Sequence, residues 1–180
     1  NIAPDMALFG KALGNGYAIT TIIGKRSIME AAQNTFISST FWTERIGPSA
    51  ALTTLRVMEN TQSWEYITKT GKTIGENWQR LAEQHGLTLN ISGLPALISF
   101  EMPVTNWLKY KTLITQEMLK CGILAANSVY VCTAHTPALV NEYLEQLDPV
   151  FSLIRDCEDG RSIDLLLQTP ICHSNFHRLN

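Results

Sequence analysis

The stretch Pro4-Asp5-Met6-Ala7-Leu8-Phe9-Gly10-Lys11-Ala12-Leu13-Gly14-Asn15-Gly16 places one lysine in a glycine-punctuated turn directly after a short apolar segment. Glycines at positions 10, 14 and 16 permit left-handed backbone or close approach, which leaves Lys11 free to point into a pocket instead of out to water. A lysine is ordinarily protonated, and desolvation or a neighbouring cation frees its lone pair to attack a carbonyl. Lys11 is therefore a candidate for Schiff-base chemistry. A nucleotide-binding loop does not fit the same stretch. There is no G-x-G-x-x-G, and Lys11 follows Gly10 without the spacer and the Ser/Thr partner that a phosphate-cradling P-loop requires.

Working outward, residues 17 to 24 form a β-branched run bounded by glycines and predict a buried strand. Ser27-Ile28-Met29-Glu30 has the S-x-x-E spacing of a capping box, which predicts a short helix after it. Residues 34 to 45 read as irregular. From Gly47, the spacing of Ala50, Ala51, Leu55 and Met58 predicts a helix whose apolar stripe packs on the preceding strand. Ile67, Ile74, Trp78 and Leu81 mark a second helix that stops at Gly86. Residues 87 to 92 and 96 to 102 read as two strands joined through Gly93-Leu94-Pro95. A helix over 107 to 120 ends at Gly122, and 123 to 132 supplies a strand with an internal turn at Asn127-Ser128. Thr136-Pro137 is an N-cap followed by proline, opening a helix with Val140, Tyr143, Leu144 and Leu147 inward. Asp148-Pro149 is expected to kink or restart that helix.

The chain has 180 residues, of which 45% are hydrophobic and 17% charged, with a formal net charge of -2. That is enough apolar material for a filled core, and the scattered charges form no basic stripe for nucleic acid. No membrane-length apolar run is present. Cys121, Cys132, Cys157 and Cys172 lie far apart with no C-x-x-C pair, which reads as reduced, buried thiols of a cytoplasmic protein. The chain begins with Asn, and almost nothing precedes Lys11 to wall a pocket, so the reading is a piece of a longer protein.

A second informative stretch runs from Thr35 to Leu52, TFISSTFWTERIGPSAAL, where hydroxyls cluster ahead of a small-residue helix. Hydroxyls and free backbone N–H groups there would make an anion site; the alternative is a connector whose hydroxyls satisfy its own backbone. Together the two stretches resemble the class III aminotransferases, the fold-type I pyridoxal-phosphate enzymes that include glutamate-1-semialdehyde aminomutase. The carriers of the resemblance are PDMALFGKALGNGYAI, Thr40, PSAALTTL and the ending HSNFHRLN.

The resemblance implies an α/β fold: residues 1–60 as the C-terminal portion of a large domain binding pyridoxal 5'-phosphate, and residues 61–180 as a small α+β C-terminal domain. It implies Lys11 as the catalytic Schiff-base lysine and Thr40 as a ligand of the cofactor phosphate, often contributed across a homodimer interface. The substrates implied are a small-molecule amino donor and an oxo acceptor, in a cytoplasmic enzyme without nucleic-acid, membrane or metal partners. Intramolecular amino transfer, as in the aminomutase, is the alternative chemistry, and a catalytically incomplete structural piece is the alternative of another class. The sequence departs from the family pattern at Ala18, where proline is common, and after Thr40, where FWTERIGP replaces the usual Asn-Pro or His-Pro. Glu44 and Arg45 sit where substrate selection would occur, or form an exposed ion pair. An aspartate for the pyridine nitrogen, a phosphate cup and a stacking aromatic are expected upstream. His173 and His177, with Cys172, have a spacing seen in metal sites but no completing ligands, and Arg178 is a candidate for a substrate carboxylate.

Overall fold

The computed structural model describes residues 2 to 174, which form two compact units, one ending at Ser63 and the other beginning at Trp64. Both mix helix and sheet. In the first unit, β1 (Met6–Phe9) pairs antiparallel with β2 (Thr21–Gly24), setting Met6 opposite Gly24 and Phe9 opposite Thr21. The predicted strand thus begins at Thr21, and it is not buried: Ile22 is 51% exposed and Ile23 56%. β-branched residues select the extended backbone locally, but burial needs a second layer, and a two-stranded ribbon has none of its own.

After β2 comes α1 (Arg26–Met29), a single turn. Ser27 lies inside it instead of capping it, because the helix begins from Lys25 without a side-chain cap, and Glu30 meets Arg26 at 3.6 Å. The capping-box expectation therefore fails on register. α2 (Ile46–Thr61) starts where predicted, yet only Gly47 and Ala51 are buried and Leu55 remains half exposed. Its first turn packs on the lysine segment, since a Cβ on Gly47 would lie 2.7 Å from the Ala18 carbonyl oxygen.

The second unit carries α3 (Ser63–Gln84), β3 (Asn90–Leu94), β4 (Leu97–Glu101), α4 (Trp107–Lys120), β5 (Ser128–Tyr130) and α5 (Pro137–Glu158). The sheet is antiparallel in the order β3-β4-β5. Its core gathers Trp78 of α3, Phe100 of β4, Tyr110, Leu113 and Ile114 of α4, and Leu147, Phe151 and Ile154 of α5, all fully buried. Phe100 stands at the centre, edge-on to Trp78 at 4.8 Å and to Phe151 at 5.9 Å between ring centroids.

Two boundaries moved. Gly86 ends α3 in left-handed backbone (φ 62°), as predicted, but the Leu87 N–H donates to the Ala82 carbonyl at 2.8 Å. That bond belongs to the helix terminus, so the strand starts later, at Asn90. Leu94 pairs with Leu97, which places the hairpin turn at Pro95-Ala96, one step beyond the predicted position. The Thr136 hydroxyl accepts from the Leu139 N–H, giving the expected N-cap of α5. That helix carries Pro149 in its interior without restarting there. Leu144 and Leu147 before the proline, and Val150, Phe151 and Ile154 after it, bury one continuous stripe, and their packing outweighs the roughly 3 kcal/mol cost of the proline.

Candidate active site

Lys11 opens a short 3-10 turn, Lys11–Leu13, between β1 and β2. Its own backbone is left-handed (φ 50°), held there by the Gly14 N–H at 3.1 Å and the Asn15 N–H at 3.2 Å, both donating to the Lys11 carbonyl. Of the left-handed backbone or close approach expected of the glycines, Gly16 takes the first (φ 104°) and Gly14 the second, a Cβ there falling 2.1 Å from the Tyr17 carbonyl oxygen, while the left-handed lysine was not foreseen. A lysine in this region costs about 1–2 kcal/mol, and strain of that kind concentrates at functional sites.

The Lys11 side chain is exposed and lines an open cleft of about 580 Å³ with Thr20, Ser39, Phe41, Trp42, Glu44 and Pro48. Among the described residues, Lys11 enters no ion pair. With Tyr17 also in the lining, the cleft brings an uncommitted amine together with three hydroxyls and three aromatic rings. Thr40 is exposed and sits between two lining residues without lining the cleft itself.

The hydroxyl-rich loop satisfies part of its own backbone. The Ser39 hydroxyl accepts from the Phe41 N–H at 3.1 Å, and the Thr35 hydroxyl donates to the Ala32 carbonyl at 2.8 Å. The start of α2 is also closed to anions. Glu44 accepts from the N–H groups of both Ile46 and Gly47, Pro48 has no N–H, and the Ser49 N–H donates to the Arg45 carbonyl. Sequence reasoning weighed Glu44 as a substrate selector or as half of an ion pair with Arg45 and missed this role. The signal was present: a carboxylate two and three residues ahead of the first helical amides is in capping register. No Glu44–Arg45 ion pair forms among the described residues, and Arg45 lines a separate depression with Gly14, Asn15 and Ser49.

Elsewhere the cysteines are free but not buried as expected: Cys121 and Cys132 are exposed, and Cys157 and Cys172 are partly covered. The Cys172 N–H donates to the Thr112 hydroxyl at 2.9 Å and its thiol to the Leu108 carbonyl at 3.5 Å, which ties this segment to α4. His173 is exposed; His177 and Arg178 lie outside the described residues. No helix among the described residues is long and apolar enough to cross a membrane.

Comparison with known proteins gives the family. The family model described as aminotransferase class-III matches residues 1–157, and the chain belongs to that family. It is 28% identical to the aminopentol aminotransferase of Sphingopyxis macrogoltabida, covering 93% of this chain and 40% of the relative. It is 23% identical to the glutamate-1-semialdehyde 2,1-aminomutase of Hyperthermus butylicus, covering 86% of this chain and 40% of that enzyme. Among solved structures, the pyridoxal-phosphate internal aldimine form of the FumI protein from Sphingopyxis sp. MTA144 superimposes with a TM-score of 0.79 at 26% identity, over 92% of this chain and 41% of that one. The chain thus spans about 40% of the length of the relatives it matches.

Proposed function

We propose that the whole protein containing this chain is a pyridoxal-phosphate-dependent aminotransferase that moves an amino group from an amino compound to an oxo acid or aldehyde. The observation that carries the reading is Lys11: an amine free of ion pairs among the described residues, presented by a strained left-handed residue in the lining of a cleft, in a chain of this family. The residues present fit the cofactor. Lys11 Nζ is the covalent anchor, Thr20 and Ser39 offer hydroxyls in the cleft, and Thr40 presents its side chain to solvent, where a second subunit would meet it. Since Glu44 already occupies the amides at the start of α2, the phosphate is held by hydroxyls and not by that helix terminus.

Pyridoxal phosphate, when bound, supplies an aldehyde for the amine and an electron-withdrawing ring for the bond being broken. Lys11 Nζ would hold the cofactor at rest and, as a free amine, would take the proton from the donor carbon that bears nitrogen and, in the second half of the reaction, give one to the carbon of the oxo acceptor. Residues 1–60 belong to the large cofactor-binding domain and residues 61–180 to the small C-terminal domain of a cytoplasmic homodimer. The 180 residues alone bind the cofactor weakly and are inactive, because the β1–β2 ribbon leaves both faces bare.

In the full-length protein, borohydride reduction after cofactor loading should label the peptide carrying Lys11 and leave Lys11→Ala unlabelled; label retained by the variant would overturn the assignment. The match to an aminomutase favours intramolecular transfer as a second reading. Dependence of turnover on an added oxo acceptor separates them, since only the aminotransferase requires one.

A further inference from the structure

We infer that Glu44 is a positioning residue of the Lys11 site, the clasp that joins the lysine turn to the aromatic wall of the cleft. Its carboxylate accepts from the Ile46 N–H and, at 3.2 Å, from the Gly47 N–H, with one oxygen on each. Gly47 is in turn pressed on the segment that follows Lys11: a Cβ there would lie 2.7 Å from the Ala18 carbonyl oxygen and 3.2 Å from the Ile19 Cβ. On the other side, the Glu44 N–H donates to the Phe41 carbonyl at 3.1 Å, and the Phe41 N–H donates to Ser39. One side chain therefore connects the floor of the cleft, through α2, to the wall made by Ser39, Phe41 and Trp42.

Two alternatives are weaker on the same geometry. A carboxylate serving substrate alone would be held away from the backbone, whereas both Glu44 oxygens are committed in orientation by a backbone N–H each, which fixes the side chain on α2. A merely stabilising cap would hold the helix without touching the cleft, whereas Glu44 lines it together with Lys11. The inference rests on the proposed role of Lys11 as cofactor anchor, and its test keeps the two apart.

The full-length protein is prepared without cofactor as wild type, Glu44→Ala, Glu44→Gln, Glu44→Asp and Lys11→Ala. Each is titrated with pyridoxal phosphate, and backbone hydrogen exchange is followed at positions 46 and 47. Glu44→Ala should bind the cofactor about tenfold more weakly and lose protection at both amides, in keeping with the loss of a helix cap. Glu44→Asp, whose side chain caps the amides two and three positions on, should restore both, with Glu44→Gln between. Wild-type affinity in Glu44→Ala, or weakened affinity with undisturbed amide protection, would overturn the inference. If instead Lys11→Ala keeps covalent attachment, the anchor assignment falls, whatever Glu44 does.

Discussion

Gly71 of α3 faces the carbonyl of Pro95 so closely that a Cβ at position 71 would stand 1.9 Å from its oxygen. Helix and hairpin turn therefore meet backbone to backbone, and this contact sets the distance at which Ile74 and Trp78 reach the sheet.

Gly71→Ala should destabilise the protein despite the gain of about 1 kcal/mol that alanine brings to a helix interior. Neither partner is a flexible side chain, so the helix must move off the turn, at a net cost of about 1–3 kcal/mol. Urea denaturation of the variant measures it, and an unchanged or raised midpoint would contradict the contact.

Lys11 should report its own strain. Lys11→Gly and Lys11→Ala both remove the amine, and each should lower turnover of the full-length protein by at least about a hundredfold. Of the two, the glycine variant should be the more stable by about 1 kcal/mol, reversing the usual order, because φ is 50° at this position. Thermal denaturation of the pair decides it.

The Trp78 indole N–H donates to the Tyr143 hydroxyl at 2.8 Å across α3 and α5. Tyr143→Phe leaves that buried donor unpaired and should cost about 1–3 kcal/mol, while Trp78→Phe removes donor and ring volume together. A double variant that costs less than the sum of the two singles would show the coupling.

Tyr110 is pushed well above the ordinary tyrosine range, first by burial and then by Glu158, which accepts from its hydroxyl at 2.5 Å. Burial likewise raises Tyr143, against the Trp78 bond. Above pH 10.0, the ordinary value, the unfolded chain releases these protons before the folded one does. Their contribution is therefore complete below that pH and is lost as the pH rises toward the folded values. Glu117 behaves oppositely: burial raises its pKa, but bonds from Lys120 and Gln116 outweigh it and the net shift is downward. Its contribution is present above the ordinary glutamate range and lost as pH falls through the folded value. Tyr110→Phe should flatten the alkaline limb of a stability–pH curve and leave the acid limb unchanged.

Pro149 interrupts the backbone hydrogen bonding of α5 at an exposed position while its neighbours bury one stripe. Pro149→Ala should restore the missing donor and stabilise the protein by about 1–2 kcal/mol, the helix gain being reduced by the looser unfolded chain. A lowered melting temperature would mean that the proline bends the helix into its packed position.

The helices of the second unit were legible because each carries a periodic apolar face and a local stop. Trp78 and Leu81 ahead of Gly86, and Thr136-Pro137 ahead of Val140, are interactions within a few residues of one another. β3 starts late for an equally local reason, the Leu87 N–H being taken by Ala82 at the helix terminus, whereas the helix through Pro149 is held by a distant partner, its buried stripe meeting Phe100 and Trp78 in one core.

At the lysine the division is the same. Sequence alone determined that Lys11 lies in a tight turn ahead of a hydroxyl-rich loop and a small-residue helix, since short-range spacing fixes those features. Only the tertiary structure decided that Gly47 meets the Ala18 carbonyl and that Phe41 and Trp42 share the cleft with Lys11. Those outcomes depend on which backbone groups meet across the fold. A Cβ at Gly47 has no room because the Ala18 carbonyl, from far back in the chain, arrives beside it, and no local pattern encodes that arrival.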